Sequence, residues 1–214
     1  FSINEKRITD LGINDFIGED VSAILNIIKY EPILPACLSG IAKGNFPDVV
    51  PKTDEERIQN IELSITYNEE IYVTEKLDGS SATYYWINEE FGVCSRNLDL
   101  SETEGSSFWR MANELLLKKK FQDYSLLDIE GKLKNFAIQG ELIGPGIQGN
   151  KYKLTRPEFR VFSVFDCDNR KYCDLEFSRL ICDNFGLKQV PLLLTEFKIT
   201  EKIEITNNPF GNKP

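Results

Sequence analysis

A change of hydrophobic period near residue 70 constrains this chain more than any other feature. From Glu70 on, apolar and polar residues alternate with period two. Ile71–Leu77, Ala82–Asn88, Phe91–Arg96, Asn135–Ile143 and Arg160–Cys167 therefore read as strands. Asp78-Gly79 and Asn88–Glu90 read as turns, and Asn169 marks a hairpin into Tyr172. Two segments instead show helical spacing. Ser106–Phe121 is expected as one helix, its three closing lysines suiting a helix C-terminus. Leu175–Phe185 is expected as a second, closed by Gly186. Strands and helices follow one another in irregular order. The expectation is an α+β domain with antiparallel sheets flanked by helices, rather than a doubly wound α/β fold.

Upstream of residue 70 the pattern is broken. Residues 1–18 carry short apolar pieces and read as the tail of an upstream unit. Glu19–Tyr30 spaces Val21, Ile24, Leu25 and Ile28 for a short amphipathic helix, stopped at Pro32. Residues 31–51, with four prolines and two glycines, are expected to form a linker or draped loop without regular structure. Thr53 with Glu56 forms a capping box, predicting a helix through Arg57 and Ile61. The division expected is 1–30 as a junction and 31–214 as the main domain.

The chain's 214 residues contain no histidine. Imidazole-based triads, His-ligated zinc and His acid–base catalysis are excluded. The five cysteines, Cys37, Cys94, Cys167, Cys173 and Cys182, form no CxxC, so they read as reduced, structural thiols of an intracellular protein. No run reaches the ~18 apolar residues of a membrane span, and no basic segment leads an apolar run in the manner of a signal peptide.

Net charge is −9, which as a whole disfavours nucleic acid. It is unevenly spread. Residues 1–75 hold 14 acids and 6 bases, whereas Arg110–Lys171 hold 12 bases and 8 acids. A basic face on the middle of the chain competes with an ordinary mixed surface.

Chemistry without histidine needs another nucleophile. Lys76 ends an apolar strand and is followed by Asp78 and Gly79. A lysine nucleophile must be neutral, and desolvation or a nearby cation lowers its pKa from ~10.4. Asp78 could hold a hydrated metal, and Gly79 lets the backbone approach a bulky ligand. The plain alternative is a hairpin with a lysine at its rim.

Glu75-Lys76-Leu77-Asp78-Gly79 resembles motif I (KxDG) of the covalent nucleotidyltransferases: DNA ligases, RNA ligases and mRNA capping enzymes. Ser95-Arg96-Asn97 resembles their motif Ia, Glu141 in QGELIG their motif III, and Phe162 in RVFSVFD their motif IIIa. The order and spacing also match. The stretch Pro51–Asn60 and the segment Gly18–Pro32 resemble the Deinococcus- and Naegleria-type ATP-dependent RNA ligases, the RNA ligase 5 group, including their junction with an upstream OB domain.

The resemblance implies a nucleotidyltransferase (ligase adenylation) domain using ATP with Mg²⁺ or Mn²⁺. Lys76 would carry AMP, and nicks with 5′-phosphate and 3′-OH ends, in duplex RNA, would be sealed. It further implies that Asp78 and Glu141 hold the metal through water, and that Arg96 and Glu141 hold the ribose. Phe162 would stack on adenine and Glu75 lie at the adenine edge. Gly79 would lie beside the nucleotide, with Arg57 or Lys52 reaching phosphate. The rival for Phe162 is a place in the core, since RVFSVFD alternates like any buried strand.

Motif IV (EGxVxR/K) does not occur, and downstream of Phe162 neither does the later KxK of motif V. The domain is therefore expected to be incomplete at its C-terminus, with lysine adenylylation by this chain alone severely slowed. Three readings stand: an RNA ligase, a binding module that kept the fold without the chemistry, and a DNA ligase or capping-type enzyme.

Overall fold

The computed structural model describes residues 40–54, 56, 60, 71–127 and 130–197, all within one compact unit spanning 34–214. The helix expected at 19–30 and the junction at 1–30 lie outside the described residues, as do Cys37, Arg57 and Ile61.

The strands are β1 (Ala42–Asn45), β2 (Ile71–Thr74), β3 (Ser80–Ile87), β4 (Glu90–Cys94) and β5 (Leu98–Leu100). Helices α1 (Ser107–Glu114) and α2 (Leu117–Ser125) follow, then β6 (Phe136–Ile143), β7 (Glu158–Asp166) and β8 (Lys171–Tyr172). Helix α3 (Leu175–Phe185), β9 (Lys188–Gln189) and β10 (Leu192–Phe197) complete the order. The large sheet runs β1-β5-β4-β3-β6-β7-β8 and is antiparallel throughout, with β9 added parallel to β7. A separate ribbon pairs β10 with β2. The α+β expectation with antiparallel sheets holds.

Alternation divides β3, β6 and β7 between the two faces of the sheet. Ala82, Tyr84, Trp86, Phe136, Ile138, Leu142, Phe159, Val161 and Val164 join the main core with residues of the three helices. Phe121 of α2 is fully buried there, its ring 4.9 Å from those of both Phe136 and Phe185. The opposite face holds two smaller clusters, one around Tyr85, Ala137 and Phe165, the other around Leu77, Ile143 and Val190.

Helix α3 has both of its predicted ends. The Asp174 carboxylate accepts from Phe177 N–H at 2.7 Å. Gly186 turns left-handed at φ 62°, and Leu187 N–H reaches Cys182 C=O at 2.8 Å. The Asn88–Glu90 turn also forms, with Asn88 and Glu89 both at positive φ as a two-residue hairpin needs.

Four expectations are corrected. Residues 31–51 are not devoid of regular structure, because Ala42–Asn45 forms the edge strand β1 against β5. An edge strand needs pairing on one side only, so a stretch rich in Pro and Gly still supplies it. Thr53, Asp54 and Glu56 are not helical; the Thr53 hydroxyl shares a 2.6 Å hydrogen bond with that of Ser81 instead of capping a helix. The single helix at Ser106–Phe121 is two. Leu116 adopts φ 55°, which breaks the ladder, so Lys118, Lys119 and Lys120 open α2 rather than close a helix. Lys120 Nζ nonetheless finds a helix C-terminus, donating at 2.6 Å to Phe185 C=O of α3. Finally, Asp78-Gly79 is no hairpin turn. The strand before it ends at Thr74 and pairs with β10, whereas β3 after it belongs to the large sheet. The lysine segment therefore crosses from one sheet to the other.

Candidate active site

The crossing segment is anchored at nearly every residue. Glu75 N–H donates to Pro191 C=O at 2.9 Å, tying it to the turn between β9 and β10. Leu77 is buried against Ile143 and Val190. Asp78 N–H donates to Tyr152 Oη at 2.6 Å, and Gly79 N–H to Glu141 Oε1 at 2.8 Å. Lys76 and Asp78 carry the exposed side chains of this run, projecting from anchored backbone. Gly79 is required by close packing on β6: a Cβ there would lie 2.3 Å from Leu142 O.

A cavity of about 1350 Å³ opens beside this segment. Glu75, Lys76, Asp78, Gly79, Arg96, Glu141 and Phe162 all line it. Four separate chain segments thus converge at one place. Lys52 is exposed and is not among the lining residues, although Thr53 and Asp54 are. Arg57 lies outside the described residues.

Phe162 owes its position to a bulge. Gln139 pairs with Ser163 but the next residue, Gly140, pairs with Val161, so Phe162 is the extra residue. The bulge shifts the alternation, leaving Val161 and Val164 in the main core. Phe162 instead packs half-buried with Tyr152 and Leu154 on the Leu77 cluster, at the cavity wall. It is not part of the helix-side core.

The electrostatics are those of an unsatisfied site. Burial raises the Glu141 carboxyl above its usual range; the Gly79 N–H opposes this, Asp78 adds to it, and Lys76 and Arg96 oppose it. Burial likewise raises Glu75, whose Oε2 is buried with no hydrogen-bond partner among the described residues. A buried carboxylate oxygen without a donor is costly, and a ligand carrying an N–H would satisfy it. No group of three or more acidic, Cys or His ligands occurs among the described residues. Asp78 and Glu141 supply two carboxylates, which suits a hard, hydrated divalent ion completed by phosphate oxygens and water. Burial pushes the thiols of Cys167 and Cys182 up to about 12 and that of Cys173 to about 11, so these cysteines stay protonated and unreactive.

Several neighbours were not read from sequence. Asp54 pairs with Arg96, and Lys151 pairs with Asp78. Tyr152, from the same loop as Lys151, holds the Asp78 backbone. Gln139, wholly buried, donates to Pro51 C=O at 2.8 Å and accepts from Ser163 Oγ at 3.1 Å, fixing the segment that carries Asp54. These contacts join residues 24 to 88 positions apart, and no local pattern announces them.

The family model described as RNA ligase matches residues 69–212. The chain belongs to the RNA ligase family. Among solved structures it is similar to Naegleria gruberi RNA ligase with PPi, at 35% identity and TM-score 0.66, over 85% of this chain and 54% of that one. A mutant of the same ligase with ATP and Mn aligns with the same identity, score and coverage. Another mutant, with AMP and Mn, aligns at 35% identity and TM-score 0.65, over 86% and 55%. The chain therefore spans about half the length of the solved ligases it matches. No curated protein sequence matches it.

Proposed function

We propose that the cavity is an ATP site and that Lys76 is the nucleophile of an ATP-dependent RNA ligase. The observation that carries this reading is the convergence of Lys76, Glu141, Arg96 and Glu75, whose Oε2 has no donor among the described residues, on one cavity, in a chain of this family. Neutral Lys76 Nζ attacks the α-phosphorus of ATP. A nitrogen–phosphorus bond forms, the bond to pyrophosphate breaks, and the lysine proton passes to solvent. Glu75 Oε2 accepts from the adenine amine, and Phe162 stacks on the adenine ring. Arg96 and Glu141 hold the ribose hydroxyls. Asp78 and Glu141 would hold Mg²⁺ or Mn²⁺ through water, and that ion supplies charge neutralisation at the phosphates.

The AMP then passes to a 5′-phosphate end, and a neighbouring 3′-OH displaces it to seal nicked duplex RNA. That relatives have been solved with ATP, AMP and PPi supports the first of these steps. The rest is inferred from the chemistry of the family.

The deciding experiment is intact mass after incubation with ATP and Mn²⁺, for wild type and Lys76→Ala. Wild type should gain one AMP, slowly as expected for this chain alone, and the variant none. An AMP adduct on Lys76→Ala would remove Lys76 as nucleophile. Sealing is assayed separately, on nicked duplexes with RNA or DNA at the 3′-OH strand. Equal sealing of both would overturn the RNA assignment.

A further inference from the structure

Two consecutive residues of one loop grip Asp78 in two different ways. The loop, residues 144–154, is a chain of tight turns. Ile147 N–H bonds Gly144 C=O at 3.0 Å, Asn150 N–H bonds Ile147 C=O at 2.8 Å, and Lys153 N–H bonds Asn150 C=O at 2.9 Å. The Asn150 side chain closes it, donating to Leu154 C=O at 2.9 Å and accepting from Leu154 N–H at 3.0 Å. Ile147 is buried in the helix-side core, while Tyr152 and Leu154 pack on the Leu77 cluster. The loop is thus pinned to both faces of the sheet and presents its residues from fixed positions.

What it presents is Tyr152 Oη to the Asp78 backbone N–H and Lys151 Nζ to the Asp78 carboxylate. The first contact is made by a half-buried ring packed among apolar side chains. The second is an exposed ion pair, with the side chains 54% and 58% accessible. Such a pair is weak and readily exchanged. A divalent cation brought to the Asp78 carboxylate repels the ammonium that holds it.

We propose that Lys151 is an internal counter-cation of this site. It occupies the Asp78 carboxylate when no metal is bound and gives it up to the divalent ion, while Tyr152 keeps the Asp78 backbone in place through the exchange. The proposal rests on the nucleotidyltransferase reading for the presence of a metal at Asp78. Its consequence is that Lys151 sets how much metal the site requires. Loss of the lysine leaves the carboxylate free and raises metal affinity.

Binding of Mn²⁺ alone, without nucleotide, tests this by electron paramagnetic resonance of free Mn²⁺ titrated with the full chain. Lys151→Met should bind Mn²⁺ about 2- to 5-fold more tightly than wild type, the range expected for an exposed ion pair. Lys151→Arg should stay near wild type. In an Asp78→Asn background the Lys151→Met gain should vanish. An unchanged or weakened affinity in Lys151→Met overturns the proposal, as does an equal gain with Asp78→Asn present. Thermal melts confirm that each variant is folded. Because the titration contains no nucleotide, failure of the Lys151 exchange and failure of the ligase reading are told apart: the first shows in Mn²⁺ affinity, the second in the AMP adduct.

Discussion

The two faces of the large sheet are built on opposite principles. The helix side is nearly all apolar, with Phe121, Phe136, Phe185 and Tyr124 in mutual ring contact. On the other face the same strands place Ser81, Thr83, Gln139, Glu141 and Ser163 between two small apolar clusters. On the cavity side, Glu75 Oε2 and Thr83 Oγ1 are buried without a partner among the described residues. One face stores stability; the other leaves polar groups unsatisfied at a cost in stability. Alternation along single strands lets both properties come from the same residues' neighbours.

If this division is right, substitutions on one face should spare what the other does. Lys76→Ala should show the largest effect, abolishing the covalent AMP adduct in mass spectrometry. Its folding stability should stay within about 0.5 kcal/mol of wild type, since the side chain is exposed. A large drop in stability would mean that the lysine serves the fold. Phe121→Ala should do the reverse, costing about 3–5 kcal/mol in chemical denaturation. Its folded fraction should still form the adduct at a near wild-type rate.

Gly79→Ala lies where the two faces meet. The new Cβ would press on the β6 backbone. We expect about 1–3 kcal/mol of destabilisation, together with loss of adduct, as the Glu141–Gly79 contact opens. Retention of both properties would show that the crossing segment has slack.

Glu141→Gln sharpens the comparison through pH. Burial raises the Glu141 carboxyl, so the folded state holds its proton more tightly than the unfolded state does. The stability associated with that proton is full below the ordinary value of 4.5 and is lost as pH rises through the raised folded value. The neutral variant should therefore melt slightly above wild type at pH 7, and the difference should disappear below about pH 4.5. Adduct formation should fall in the same variant. A lower melting temperature at pH 7 would contradict the assigned cost of burying this carboxylate.

The sequence alone determined whatever depends on near neighbours. Period-two alternation located β3, β4, β6 and β7, and helical spacing with Gly186 marked α3 and its end. The resemblance around Lys76, Arg96, Glu141 and Phe162 named residues that the fold brings to one cavity. Steric preference, capping and alternation act within a few residues, so they leave a local trace. Tertiary structure decided the rest. It sent β2 to a partner more than a hundred residues away rather than into a hairpin with β3. It broke the helix at Leu116, turned Phe162 to the cavity wall by a one-residue bulge, and paired Asp54 with Arg96 and Lys151 with Asp78. Strand choice and register follow from which surfaces bury each other, and exposed ion pairs from where distant loops come to rest; neither writes a periodic signal into the chain.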